Sequence, residues 1–409
     1  MLATPEIIRE AAQMNRVTEL LPRWREIPLY HETLRRRELD LAGLPVITKR
    51  EMRAGFPQNF LSASRSLDDL VANQLVELEH TSGTSEDRLP VIFGRGWWNE
   101  QEERALRLNR FVAQVLDEHP DARRATLTPP ACNGLTCPTV WMSQAQRTIG
   151  NALFVNLARI PFVLSETELQ RMADEIAAWA PQFLDLDPVH GVWFALFCER
   201  NGIRFPSVRF VICSYEFVSV VHRRILQRVF GVPVFNLYGS TETGHLLMEN
   251  VAGEMKPSYD TALLEVVDAD AAGLGTLLVT TLSNDYMPLL RYRIGDFVQR
   301  HERSYGTDYV VHGRIRDALT ATNGTRVTTW QVDHCLTEAA GIAHYQLRQG
   351  ADEFRLRYIS DAQGVNEEAL SKAVAQLQSL LGATVLTESV PTLLPEASGK
   401  FRLTCSSPQ

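Results

Sequence analysis

The chain has 409 residues, 45% of them apolar, and its 41 basic and 49 acidic side chains leave a net charge of -8 and a pI near 5.8. That length exceeds what one hydrophobic core supports, so two or more substructures are expected. An acidic balance argues against a nucleic-acid backbone or an acidic membrane surface as partner.

Pro5 to Leu39 carries apolar residues at helical spacing (Ile8, Ala12, Val17, Leu20, Leu21), then Pro28 and the Arg35-Arg36-Arg37 run, which predicts helix, loop, helix. Thr48 with Glu51 three residues on predicts a short capped helix. A long amphipathic helix is expected over Gly96 to Glu118, a strand over Ala125 to Thr128 leading into the Pro129 to Gly134 loop, and a Ser165-capped helix ending at Trp179. Val208 to Cys213 reads as a buried strand, Val218 to Phe230 as a helix and Val232 to Leu237 as a second strand. Strand, helix, strand of this length is a parallel crossover, hence an α/β sheet. Ala262 to His312 alternates in short strands with turns at Gly273, Gly275 and Asn284-Asp285, predicting an antiparallel or barrel-like subdomain. Beyond Gly313, strand, strand, helix (Asn366 to Leu381) and strand predict a small α+β domain. The fold class is therefore α/β, α+β overall, with a large N-terminal domain over 1–315 and a small mobile one over 316–409.

Six scattered cysteines (Cys132, Cys137, Cys198, Cys213, Cys335, Cys405) lack the paired spacing of zinc sites or disulfide frameworks and read as reduced, mostly buried thiols. The longest apolar stretches, such as Val189 to Cys198, are too short to span a membrane, and the N-terminus lacks a basic cap before an apolar run. A cytoplasmic protein with no membrane partner is expected.

Thr81-Ser82-Gly83-Thr84-Ser85 is a run of small hydroxyl residues around a glycine, followed by Glu86, Asp87 and Arg88. It is either a surface turn or a loop whose amides and hydroxyls wrap a pyrophosphate, with Arg88 adding charge. Tyr238-Gly239-Ser240-Thr241-Glu242-Thr243-Gly244 follows an apolar strand, at the end where open α/β sheets bind ligands; it is a ligand-facing turn or a capped helix start. Cys213-Ser214-Tyr215-Glu216 closes the preceding strand, either bordering a ligand or as a plain turn capped by Ser214. Asp296 ends Tyr292-Arg293-Ile294-Gly295-Asp296, as an acceptor-only carboxylate or a hairpin aspartate. Arg314 and Arg316 follow in Gly313-Arg314-Ile315-Arg316-Asp317, and Lys400 comes after Gly399 near the C-terminus. No dinucleotide turn, Gly-x-Ser-x-Gly elbow or His-Glu-x-x-His motif occurs.

In this order the strings resemble the adenylate-forming superfamily, and the entry segment with Thr48-Lys49-Arg50-Glu51 and Phe56-Pro57 resembles its phenylacetate-coenzyme A ligase branch. The resemblance implies ATP-dependent activation of a carboxylic acid, aryl in that branch, to an acyl-adenylate. Transfer to a thiol follows, coenzyme A foremost; a carrier protein, an amine or a catalytically silent nucleotide-binding homologue are the alternatives. It implies that Glu242 ligates Mg²⁺, that Thr241 meets the α-phosphate and that Lys400 bridges carboxylate and phosphate. Thr81 to Ser85, Arg88, Ser214, Tyr215, Glu216, Asn236, Tyr238, Gly239, Ser240, Asp296 and Arg314 would bind ATP. Arg316 takes the hinge position, and the Gly324 loop resembles the hairpin that lines a pantetheine tunnel. Cys132, Asn133, Gly134, Tyr215, Gly239 and His245 would line the acid pocket. The branch also implies a homodimer.

Overall fold

The computed structural model describes residues 5–35, 41–62, 64–81, 88–128, 142–158, 160–304, 306–350, 353–396 and 399–406. Two compact units emerge, one from Met1–Arg110 with Leu237–Val311 and the other from Phe111–Asn236 with His312–Gln409.

In the first unit, helices Pro5–Arg25 and Pro28–Arg35 form the expected pair, and Thr48 builds a full capping box: its hydroxyl accepts the Arg50 N–H while Glu51 accepts the Thr48 N–H at 2.8 Å. The predicted long helix divides into Trp97–Leu106 and, across the unit boundary, Arg110–Glu118. The break has a cause in Asn109, which is fully buried and donates its amide to the Glu249 carbonyl at 2.8 Å, a use of the side chain that continuing the helix would forfeit. Strands Gly244–Glu249, Met255–Pro257, Ala262–Val267, Leu274–Thr281 and Tyr292–Arg303 pair antiparallel around a core that includes Leu247, Leu277, Val279, Leu289 and Tyr292.

The second unit holds the parallel sheet. Phe183–Leu186 pairs in parallel with Arg124–Leu127 on one side and Phe210–Cys213 on the other, and Phe210–Cys213 pairs with Val234 to Asn236. Helices Glu166–Trp179, Pro188–Arg200 and Val220–Phe230 are capped by Ser165, Asp187 and Ser219. The same unit contains a four-stranded sheet in the order Val385–Ser389, Phe354–Ser360, Ile342–Gln349, Thr404–Cys405, covered by Glu367–Leu381. The sheet and helix match the predicted small α+β pattern. No described helix is long and apolar enough to cross a membrane. Of the cysteines, Cys198, Cys213 and Cys405 are buried thiols and Cys335 is half-buried, none of the four in a disulfide among the described residues, whereas Cys132 and Cys137 lie outside them.

Candidate active site

The Tyr238 motif is not a helix start: its first three residues extend the strand and Thr241 to Thr243 form the turn that follows. The strand Val234–Ser240 runs through Tyr238-Gly239-Ser240 and returns as Gly244–Glu249, with a register shift between Tyr238 and Gly239. Glycine is required at the shift: a Cβ on Gly239 would lie 2.2 Å from the Gly244 carbonyl oxygen, and Gly244 itself takes φ +75°. Ser240 and Thr243 hydroxyls bond at 2.9 Å, closing the turn that carries half-buried Thr241 and buried Glu242.

The strand Tyr292–Arg303 meets this hairpin twice. The Tyr292 hydroxyl donates to Glu242 Oε1 at 2.7 Å, and the Tyr238 hydroxyl donates to Asp296 Oδ2 at 2.6 Å. Register slips between Thr276–Phe297 and Leu278–Arg293, and Gly295 takes φ 95° within the slip, a bulge that re-aims the neighbouring Asp296. The motif carboxylates, 3% and 4% exposed for Asp296 and Glu242, are thus each paired with a tyrosine from the other string. On the same unit, buried His245 stands edge-on to Trp98 with ring centres 5.0 Å apart, its backbone N–H held by Gln101. Thr81 is buried and its hydroxyl accepts the Leu89 N–H at 3.0 Å, while Arg88 is exposed; Ser82, Gly83, Thr84 and Ser85 lie outside the described residues, as do Cys132, Asn133 and Gly134.

The second unit gathers Ser214, Tyr215, Glu216 and Lys400. Ser214 and Tyr215 both donate hydroxyls to buried Asp185, each at 2.9 Å, and Tyr215 sits at φ 71°, an uncommon conformation for a bulky residue. The Tyr215 carbonyl accepts the Lys400 ammonium at 2.9 Å, and Glu216 accepts the Phe401 N–H at 2.8 Å. Asn236 is half-buried beside Cys213. Next to them Asp187 caps helix Pro188–Arg200 with Oδ1, accepting Val189 and His190 N–H, while its buried Oδ2 has no hydrogen-bond partner among the described residues. Burial pushes the Asp187 carboxyl up to about 7, against the opposing field of Lys400. Burial first, and then the Asp187 charge, raise Glu216 well above the ordinary carboxylate range.

The turn bearing Lys400 closes on itself, Glu396 N–H to the Lys400 carbonyl at 2.7 Å and Gly399 N–H to the Glu396 carbonyl at 2.8 Å. Its base is a ring of alternating charge: Arg316 to Glu396 at 2.6 Å, Arg402 to Asp317 at 2.6 Å, with Arg316–Asp317 and Arg402–Glu396 at 3.6 and 3.8 Å. Arg314 is half-buried at the end of strand Gly306–Arg314. Gly324, φ +80°, tips the hairpin that pairs Leu319–Thr320 with Arg326–Val327.

Sequence reading missed Asp185 and Asp187. The available signal was two carboxylates inside a run, Phe183 to Phe197, whose one other polar side chain is His190, with the second carboxylate directly before Pro188. Among the described residues no group of three or more His, Cys, Asp or Glu side chains could hold a metal. A cation at Glu242 would therefore complete its shell with ligand oxygens and water, as Mg²⁺ does on one carboxylate.

No family model matches the chain. Over 259 residues, 57% of its length, it is 27% identical to the phenylacetate-coenzyme A ligase of Thermus thermophilus, and the match spans 58% of that ligase. The chain thus matches less than two thirds of that curated relative's length. The crystal structure of a 2-hydroxyisobutyryl-CoA ligase in the postadenylation state superposes with a TM-score of 0.71 at 18% identity, over 99% of this chain and 91% of that one. That of an anthranilate CoA ligase superposes with a TM-score of 0.58 at 12% identity, over 87% and 74%.

Proposed function

We propose that this chain, which shares the fold of the adenylate-forming ligases and resembles the phenylacetate-coenzyme A ligase branch in sequence, is an AMP-forming acid-thiol ligase. In the first half-reaction a carboxylate oxygen of the substrate attacks the α-phosphorus of ATP and the bond to pyrophosphate breaks. In the second, a thiol sulfur attacks the acyl carbon of the adenylate and AMP leaves, with coenzyme A as the acceptor.

The observation that supports this most is the double cross-link between the two motif strings, Tyr238 to Asp296 and Tyr292 to Glu242. Asp296, acceptor-only when ionised, takes the ribose hydroxyls, and Tyr238 lies against the adenine. Ser214, Tyr215, Glu216, Asn236, Gly239 and Ser240 border the nucleotide, and Thr241 and Arg314 reach its phosphates. The Thr81 to Ser85 loop and Arg88 receive the departing pyrophosphate. Glu242, a buried carboxylate, fits one Mg²⁺, which when bound offsets phosphate charge. Lys400 supplies a point charge to the developing phosphorane; the segment 316–409 that bears it moves about Arg316 between half-reactions. Cys132, Asn133, Gly134, Tyr215, Gly239 and His245 line the acid pocket.

The test is acid-dependent pyrophosphate release across a panel of aryl and alkyl acids, with and without coenzyme A, followed by mass analysis of the products. Release that depends on the acid, with a thioester when coenzyme A is present, is expected. A panel that yields no pyrophosphate overturns the reading; adenylate without thioester overturns coenzyme A as acceptor and leaves a carrier thiol or an amine.

A further inference from the structure

Lys400 and its neighbour are gripped at adjacent points by adjacent residues. The ammonium donates to the Tyr215 carbonyl at 2.9 Å, and the next backbone N–H, that of Phe401, donates to Glu216 Oε1 at 2.8 Å. Beyond the grip, the Phe401 ring stands edge-on to Phe162 and to His344, with centres 5.5 and 5.3 Å apart. His344 in turn bonds His222 at 3.0 Å in a fully buried pair. The other side of the grip is equally fixed, because Asp185 holds the Ser214 hydroxyl and the Tyr215 phenol and so keeps Tyr215 in its left-handed conformation.

We propose that Glu216 is a positioning residue for Lys400: by accepting the Phe401 N–H it fixes the backbone from which the ammonium projects. The importance of Lys400 for chemistry rests on the ligase reading, whereas the grip itself does not. A carboxyl group suits this task for two reasons. Its carbonyl-type oxygen accepts the amide N–H whether or not the group holds a proton. It also stands in the field of the ammonium it helps to aim, and that attraction opposes the burial that raises Glu216. Asp187 shares this neighbourhood, so one cation faces two carboxyl groups, and the preference of that pair for a proton keeps the local charge small.

Four of the 41 basic residues are lysines, Lys49, Lys256, Lys372 and Lys400, so amine chemistry can be followed at each of them. The experiment compares the full-length chain with Glu216→Ala and Glu216→Gln; glutamine retains an acceptor oxygen. Without nucleotide, each protein is acylated with a limiting water-soluble N-hydroxysuccinimide ester, and the rate at every lysine is read by peptide mass spectrometry. Loss of this part-buried bond should speed Lys400 labelling about tenfold in Glu216→Ala relative to the other three lysines, with Glu216→Gln within about twofold of the parent. In the second arm, ATP–pyrophosphate exchange with an active acid should lose about tenfold in kcat in Glu216→Ala, more than any change in KM for the ATP that Glu216 borders, and regain most of that kcat in Glu216→Gln. General damage would raise labelling at all four lysines and lower the thermal midpoint. Lys400 labelling that is unchanged, or that rises only in step with the other lysines, overturns the grip. Faster Lys400 labelling with unaltered exchange overturns its role in catalysis. Should no acid support exchange in the parent protein, the ligase reading falls, and the labelling arm still decides the grip.

Discussion

The carboxylates of the first unit and the lysine of the second are held in opposite ways. Glu242 and Asp296 stand on a strand-borne hairpin and a bulged strand, and each takes its hydrogen bond from a tyrosine of the other string. Lys400 stands on a short closed turn whose supports come from positions as distant as 185, 216, 316 and 344. A strand motif therefore carries its own scaffolding, whereas a loop residue borrows it. The first kind of site should tolerate distant change, and the second should be sensitive to side chains that never touch a ligand.

The largest expected effect tests whether both halves serve one reaction. Lys400→Ala should lower acid-dependent pyrophosphate exchange by about 10²–10³-fold with an unmoved thermal midpoint. Glu242→Gln, which keeps an acceptor for Tyr292, should also lose activity without unfolding. If either variant turned over at the parental rate, that residue would leave the mechanism.

The next effect is on stability and belongs to the second unit alone. Asp187 in the folded chain lies near 7, above its ordinary 3.8, so the folded state holds the proton more tightly than the unfolded one. Its contribution is complete below about pH 4 and is lost as pH climbs through 7, costing roughly 2–4 kcal/mol across that window. Asp187→Asn keeps the cap acceptor and should flatten that slope in denaturant titrations at a series of pH values. A parallel slope in the variant would assign the dependence elsewhere.

Smaller again is Asp185→Ala, which strips the acceptor from two hydroxyls and should cost about 1–3 kcal/mol by chemical denaturation, with faster labelling of Lys400. Thr48→Ala, next to the Ile47 that bridges to Tyr292 in the first unit, should cost about 1 kcal/mol through its cap and leave Lys400 labelling unaltered. That pair of variants sharpens the contrast between a borrowed scaffold and an ordinary local support.

Much of the architecture was legible because it rests on local signals. Thr48 with Glu51, Ser165 before its helix and the apolar Val208 to Cys213 run each declare an element from within a few residues. The break at 107–109 was not, because the carbonyl that claims Asn109 belongs to residue 249. The strings holding Glu242, Asp296 and Lys400 could be picked out, but their partners could not: a tyrosine meeting a carboxylate fifty residues away leaves no periodicity. Nor did the apolar pattern around Asp187 announce that a carboxylate there would be buried with one oxygen unbonded among the described residues.

The two backbone hydrogen bonds that tie Glu396 to Lys400 and Gly399 have a kinetic consequence. On the proposed ligase reading, an amine on a freely sampling tail would reach its target only in the fraction of time the tail happened to be folded back, whereas backbone hydrogen bonds at Glu396, Gly399 and Lys400 would keep the amine at high effective molarity. Spacer residues inserted after Glu396 should accordingly slow turnover in proportion to the freedom they restore, while nucleotide affinity stays as it was.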